Sequence, residues 1–334
     1  MADNYAAKAF GKLILMGEFA VLDGCSNFTV ALERGVTCTF IPDGPETHLG
    51  PLTDSALNTV YSYLEESGKE VKHGSLSIAN ELVDENGMKI GLGSSGAIVV
   101  SVIDSVLKAY GIEPSVSLLY RLGTIAEARV QPDGSFTDIA AAACGGFFEY
   151  SPIDPDWIGA KITTDNVKDI VESQWPLVTA TRYSWPEGLT LLIGWTHEES
   201  STPNIIKKYQ TIRTKYKKEH QAFTKDATQI ITSFRKALDR GDSARIDEAI
   251  RNYRKCVQNL LVAVNLPLYT KKLSKLVKLA ERHGAAAKPS GAWGGDCGFA
   301  LCASAEQVEL IKQDWLKAGI TPIEATFAPA KFDI

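Results

Sequence analysis

KIGLGSSGA (Lys89–Ala97) runs on without a break into IVVSVIDSVLKAY (Ile98–Tyr110), and this passage decides how the chain reads. In the second part the polar residues are Ser101, Asp104, Ser105 and Lys108. Offsets of 3, 4 and 7 put them on one helical stripe and leave the rest of the circumference apolar. The spacing predicts a nearly buried helix that opens from a loop of Gly91, Leu92, Gly93, Ser94, Ser95 and Gly96, with Ala97 entering its first turn. Glycines let a backbone approach a phosphate closely, and a helix N-terminus supplies unpaired N–H groups and a positive dipole end. Ser94 and Ser95 stand where they can cap the helix or coordinate a phosphate-bound metal.

Four other readings of GLGSSG compete with phosphate binding in general. The dinucleotide fingerprint G-x-G-x-x-G needs a hydrophobic strand before it and an acidic strand end ~20 residues later. DENGMKI is a poor core strand, and Glu113 in IEPS follows no apolar strand. A protein-kinase glycine loop would be followed by HRD and DFG segments, which are absent, and a Walker A loop would need Gly-Lys-Ser/Thr. A plain Gly-rich turn capped by serine is the remaining alternative, and binding of phosphate is the better reading.

Outward from this passage, 8–40 reads as strands, with Val36, Cys38 and Phe40 alternating against Thr37 and Thr39. Helices are expected over 53–67, ending at Gly68, and over 115–129 after Pro114, with a strand at 74–80 between them. GSFTDIAAAACGGFFEY (134–150) predicts a helix, a Gly145-Gly146 stop and a strand. The Pro-, Asp- and Trp-rich stretch 151–187 reads as irregular connections around one helix and marks the boundary between domains, placed at 1–180 and 181–334. Beyond it come a strand (189–195), helical stretches at 203–240, 243–263 and 267–283, the Gly-rich KPSGAWGGDCGFAL (288–301), a helix (305–318) and a strand (320–327). Strands separated by helix pairs give an α+β fold with antiparallel sheets.

The 334 residues exceed one typical domain, and 45% are apolar, enough for a large core without staples. A net charge of −5, from 35 basic and 40 acidic residues, argues against a nucleic-acid partner. No apolar run approaches the ~20 residues of a membrane span. The N-terminal run Leu13–Met16 is too short for a signal peptide. Six scattered cysteines form no CxxC pair, and the Cys297/Cys302 spacing lacks the partners of a zinc site. Free thiols fit a reducing cytoplasm, where the chain is expected to work.

Three segments now combine: GKLILMGEFAVLDG (11–24), KIGLGSSGA (89–97) and KPSGAWGGDCGFAL (288–301). Their order and separation resemble the three motifs of the GHMP kinase superfamily over nearly the full chain. Within it the resemblance runs toward the kinases of phosphomevalonate. It rests on Lys89 before GLGSS, on Gly194-Trp195-Thr196 followed by Ser201-Thr202, and on SGA-x-GGDCG near the end. The GAG run that usually precedes LGSSA in mevalonate kinases is missing. The resemblance implies a two-domain GHMP kinase fold, an N-terminal kinase-type α/β domain with a left-handed crossover and a ferredoxin-like C-terminal domain. It implies ATP-dependent phosphorylation of (R)-5-phosphomevalonate in the mevalonate pathway of isoprenoid biosynthesis, with Mg2+ as cofactor and a monomer or homodimer as the assembly. Another small-molecule GHMP kinase, for mevalonate or a sugar, and a non-catalytic binding member of the fold are the alternatives.

The resemblance assigns roles residue by residue. Lys12 corresponds to the lysine near the transferred phosphoryl group, and Asp138 in GSFTD to the acidic residue at a helix start. Residues 91–97 correspond to the nucleotide phosphate loop. Lys89, Ser135, Ser201, Ser290, Gly291 and Ala292 fall on the substrate side, and Asp296 reads as structural rather than catalytic. Ser95 and Glu127, the latter eleven residues before Asp138, are the candidate magnesium ligands. The implied acceptor is a phosphate monoester with a second pKa of ~6, so it is mostly dianionic at pH 7 and needs charge cancellation more than a base. Lys12 is therefore expected to matter more than Asp138. Trp293 stands where the family usually has glycine, which leaves two expectations: an ordinary backbone there, or a different pocket. The basic run IIKKYQTIRTKYKK (205–218) reads first as a solvated helix face and second as a means of steering anionic substrates.

Overall fold

The structure is a computed structural model in which residues 4–176 and 178–331 are described. In the first half, chain order is β1 (Tyr5–Met16), β2 (Asn27–Pro42), α1 (Pro51–Glu66), β3 (Gly74–Asn80), α2 (Ser94–Ala109), α3 (Val116–Ala128), α4 (Thr137–Cys144), β4 (Phe147–Ser151), α5 (Pro155–Thr164), α6 (Val167–Glu172) and β5 (Thr179–Tyr183). The long β2 organises an antiparallel sheet. Its first residues, Asn27–Val30, pair with β4, its last, Val36–Pro42, pair with β3, and β1 runs along its other edge. β5 extends the sheet beyond β4.

α2 lies across β1 and β2 and is flanked by α1, α3 and α4. It is buried more completely than its polar stripe suggests. Ser101 and Ser105 are fully buried and donate to the Ile98 and Val102 carbonyls of their own helix, and Asp104 is buried beside Lys108 at 3.1 Å. Local back-bonding of this kind satisfies a short hydroxyl without solvent. The predicted irregular stretch 151–187 holds two short helices and an edge strand instead of one helix, α5 and α6 being capped by Asp154 and Asn166.

The second half contains β6 (Thr190–Trp195), α7 (Thr202–Lys215), α8 (Lys217–Arg240), α9 (Ser243–Ala263), α10 (Lys271–Arg282), β7 (Ala286–Pro289), β8 (Cys297–Cys302), α11 (Ala305–Lys317) and β9 (Thr321–Glu324). The sheet order is β7-β8-β6-β9, all antiparallel. With helices after β6 and after β8, this is the split β-α-β-β-α-β arrangement of ferredoxin-like domains. The single helical stretch expected over 203–240 is two helices, because Tyr216 leaves helical geometry at φ −117°, ψ 53°. The chain changes sheets across residues 184–189, between the end of β5 and the start of β6.

The halves share one hydrophobic core. Arg235 of α8 pairs with Glu149 of β4, and the Tyr253 hydroxyl of α9 donates to the Glu18 carbonyl at 2.7 Å. The C-terminal segment then returns to the first sheet. Glu33 N–H donates to the Thr326 carbonyl at 2.8 Å and Ala328 N–H to the Ala31 carbonyl at 3.0 Å. All six cysteines are free thiols, and among the described residues no helix is long and apolar enough to cross a membrane.

Candidate active site

The three Gly-containing segments meet. Lys12 N–H in β1 donates to the Leu92 carbonyl of the 91–97 loop at 2.7 Å. Ser290, after β7, accepts from Ile14 N–H at 3.0 Å and donates to the Ile14 carbonyl at 2.9 Å. The Cys297 thiol donates to the Ile90 carbonyl at 3.0 Å. Glu18 and Lys288, one from each half, form a fully buried ion pair. Around this junction lies a cleft of about 510 Å3.

The glycines of the loop are explained by what stands opposite them. Gly93 caps α2 at φ +80°, and a Cβ there would lie 2.7 Å from Lys12 Cγ. Gly96 is helical, but a Cβ would fall 2.6 Å from the Asp138 carbonyl carbon. A Cβ on Gly91 would run into Asp296 Cβ. The pattern G-x-G-x-x-G thus makes room for Lys12, Asp138 and Asp296. No side chain caps the first turn of α2, so of the two possibilities for Ser94 and Ser95 the cap is not realised; Gly96 N–H donates to Asp138 Oδ2 at 3.1 Å. Asp138 itself sits in the first turn of α4, so one carboxylate faces the starts of two helices.

Of the residues singled out from the sequence, Lys12, Lys89, Gly91, Gly93, Ser94, Ser95, Glu127, Ser135, Asp138, Ser201, Gly291 and Ala292 line the cleft. Leu92 and Ala97 are buried and shape the loop from behind. The Ser290 hydroxyl faces the Ile14 backbone and is spent on holding the two halves together. Lys12 Nζ reaches the far side, where a Cβ on Gly291 would be 4.0 Å from it. Lysines 207, 208, 215, 217 and 218 are exposed, as a solvated face requires.

Sequence reasoning missed Glu18 and read Asp296 as structural. Both line the cleft. Burial pushes the Glu18 carboxyl up against the opposing pull of Lys288. Burial likewise pushes Asp296 up to about 6, while Ser200 N–H and the charges of Lys12 and Lys89 pull the other way. Asp296 Oδ1 accepts from Ser200 N–H at 3.1 Å, and its carbonyl accepts from Thr196 N–H at 2.9 Å, so it fixes the turn leading into α7. At Trp293 the expected ordinary backbone is not found: the chain keeps the glycine-like left-handed conformation at φ +66°, and the indole is fully buried against Tyr269 at 5.6 Å. It points into the core and does not line the cleft.

Glu127 is buried in α3, and burial, then the charge of Asp138, push its carboxyl well up, with Lys12 acting against this. Its Oε2 is buried without a hydrogen-bond partner. Among the described residues there is no cluster of three or more His, Cys, Asp or Glu side chains suited to a metal. An unsatisfied carboxylate oxygen and the Ser95 hydroxyl in one cleft nevertheless suit Mg2+, which commonly takes one or two protein oxygens and completes its shell with water and phosphate.

A Gly/Ser loop opening a buried helix, a lysine in a two-domain seam and an acidic helix start meet in one cleft, and the comparisons with known proteins place the chain among small-molecule kinases. Residues 55–146 match the GHMP kinases N terminal domain and 234–321 the GHMP kinases C terminal domain; the chain belongs to the GHMP kinases. It is a homologue of phosphomevalonate kinase, being 32% identical to the Streptomyces sp. (strain CL190) enzyme over 95% of each chain. A Listeria innocua protein superposes with a TM-score of 0.91 at 26% identity, covering 98% of both chains. Streptococcus pneumoniae phosphomevalonate kinase, solved with phosphomevalonate and AMPPNP, superposes with a TM-score of 0.86 at 26% identity, covering 96% of this chain and 99% of that one.

Proposed function

We propose that this chain transfers the γ-phosphoryl group of ATP to the phosphate of (R)-5-phosphomevalonate. A bond forms between an acceptor phosphate oxygen and the γ-phosphorus, the β–γ bridging bond breaks, and ADP leaves. The observation that carries this reading is the meeting of the three motifs around Lys12, with Lys89 on the same cleft. Two polyanions must approach each other there, and fixed cations and helix N-terminal N–H groups cancel their repulsion without reorganising.

In this reading residues 91–97 hold the nucleotide phosphates. Lys12 neutralises the group in transit, and Lys89, Ser135, Ser201, Gly291 and Ala292 face the acceptor. Ser290 serves indirectly, by joining the two sides. Asp138 is held by Gly96 N–H and orients Lys12 or the acceptor. Glu127 and Ser95 are the residues that would hold Mg2+, which when bound neutralises phosphate charge. The setting is the cytoplasm and the mevalonate route to isoprenoids, and the partners are the two small substrates.

A coupled ADP-release assay with phosphomevalonate, mevalonate and galactose tests this. Turnover is expected with phosphomevalonate alone. Preference for mevalonate or galactose would assign a different acceptor, and nucleotide binding without turnover of any of the three would reject catalysis.

A further inference from the structure

Between the first motif and β2 the chain forms a strap, Gly17 to Gly24. It begins and ends in left-handed glycines, at φ +101° and +81°, and encloses a 3-10 turn over Ala20–Asp23. Four of its residues, Glu18, Phe19, Val21 and Leu22, line the cleft. Thr202, Pro203, Ile205 and Ile206 of the first turns of α7 line the same cleft, and Phe19 packs on Tyr209 of that helix. One end of the binding site is therefore built from two elements about 180 residues apart in sequence, and the geometry needs something to hold them in register.

Asp23 is placed to do so. Its side chain is 8% exposed and does not line the cleft. The Tyr209 hydroxyl of α7 donates to Asp23 Oδ2 at 2.5 Å, His220 Nε2 of α8 lies 2.9 Å from the same oxygen, and Arg213 Nε of α7 lies 3.1 Å from Oδ1. Apolar contact reinforces the grip: the Tyr209 ring packs on Phe19 at 5.4 Å and on Phe223 of α8 at 6.4 Å. Tyr209 is buried, and burial followed by the Asp23 charge drives its hydroxyl strongly upward, so it remains a donor. The carboxylate thus accepts hydrogen bonds from Tyr209 and His220 at Oδ2 and ion-pairs with Arg213 at Oδ1, joining two helices to a strap bounded by glycines. Charge-assisted bonds of this kind are short and directional.

We infer that Asp23 is a positioning residue: its carboxylate clamps α7 and α8 onto the strap and so sets the shape of the acceptor end of the cleft. The inference rests on the reading above that the α7 side receives the acceptor. It separates the two substrates, because the phosphate loop lies on α2 and has no bond to Asp23 among those described. Arg213 thereby acquires a structural partner that distinguishes it from the exposed lysines around it.

The test compares Asp23→Ala, Asp23→Asn and Tyr209→Phe with the native enzyme. Asp23→Ala should raise the KM for phosphomevalonate on the order of tenfold, with kcat and the KM for ATP within about twofold, as expected when a binding surface is loosened and the transition-state contacts stay. Asp23→Asn keeps an acceptor for Tyr209 and loses the charge, and Tyr209→Phe keeps the ring and loses one bond, so both should shift the same KM by less. Amide hydrogen exchange over 202–209 should quicken in Asp23→Ala in the absence of substrates. Proportional changes in both KM values, or a fall in kcat alone, would reduce Asp23 to a general stabiliser and overturn the inference. Unchanged exchange over 202–209 overturns it whichever acceptor the enzyme uses, whereas lack of turnover by the native enzyme would count only against the proposed reaction. Should Asp23→Ala fail to fold, the two milder variants carry the same outcomes.

Discussion

At the residue scale the cleft poses a question of division of labour between Lys12 and Asp138. A general base would be worth about 10²–10⁴ in rate. The proposed acceptor is already mostly ionised, so Lys12→Ala is expected to lower kcat on the order of 10²–10³ and Asp138→Asn only about tenfold, the range for lost electrostatic stabilisation against lost orientation. Asparagine can still accept from Gly96 N–H, so the second variant removes charge and little else. Steady-state kinetics with the asparagine variant as the more damaged enzyme would refute this order. Asp296 gives a second prediction. Its proton leaves near 3.8 in an unfolded chain and at about 6 in the fold, because burial disfavours the charged form. Between those values the folded protein binds more protons, so this group makes stability fall as pH rises from about 4 to about 6, by at most ~3 kcal/mol. Asp296→Asn should therefore melt with the native protein near pH 4 and several degrees above it at pH 7–8. Equal melting temperatures at both pH values would mean that the carboxylate is not penalised by its site.

At the element scale the informative residue is Gly96, where α2 meets α4. Alanine is the better helix former by up to about 1 kcal/mol, so an unobstructed helical glycine should gain from the change. Gly159 in α5 is such a position, with open space where its Cβ would be, and Gly159→Ala should stabilise by about 0.5–1 kcal/mol. Gly96→Ala should instead cost about 1–3 kcal/mol, since the obstacle is Asp138 backbone and cannot swing away. Urea denaturation of the two variants checks the opposite signs. The same contrast shows how much the sequence disclosed. The buried helix, the glycine loop and the acidic helix start were legible, because glycine composition and 3.6-residue periodicity are local properties. The break at Tyr216 was not, since apolar residues continue on both sides of it, with Ile212 and Phe223 both buried. Nor was the left-handed Trp293 backbone, which holds because burial of the indole against Tyr269 offsets a conformation costing about 1–2 kcal/mol. The Asp23 clamp joins positions 186 and 197 residues apart, beyond the reach of any pattern along the chain.

At the scale of the whole molecule, the site exists only where two domains are held together, and the most deeply buried device on that seam is the ion pair of Glu18 and Lys288. Both side chains are essentially inaccessible. Burial alone pushes the Glu18 carboxyl up and the Lys288 ammonium down, toward neutrality, and each partner's charge resists the drift of the other. Lys288 also donates to the Pro289 carbonyl at 2.7 Å and lies over the Phe299 ring at 5.2 Å, so the ammonium is surrounded by electron-rich groups. A buried pair of this sort adds little net stability compared with apolar residues of the same shape, yet removing one member strands a charge and costs about 3–5 kcal/mol. Glu18→Gln should thus destabilise strongly, Lys288→Met similarly, and the double variant much less than the sum, because no charge is left without a partner. Chemical denaturation of the four proteins gives the coupling directly, with an expected interaction of at least ~2 kcal/mol. Additive losses would show that the two residues do not act as one seam. The kinetic counterpart distinguishes stability from geometry. Lys12 belongs to one half and Gly291 to the other, so a single variant with a loosened seam should lose kcat as well as stability, and the double variant, whose seam is closed again by packing, should recover both together.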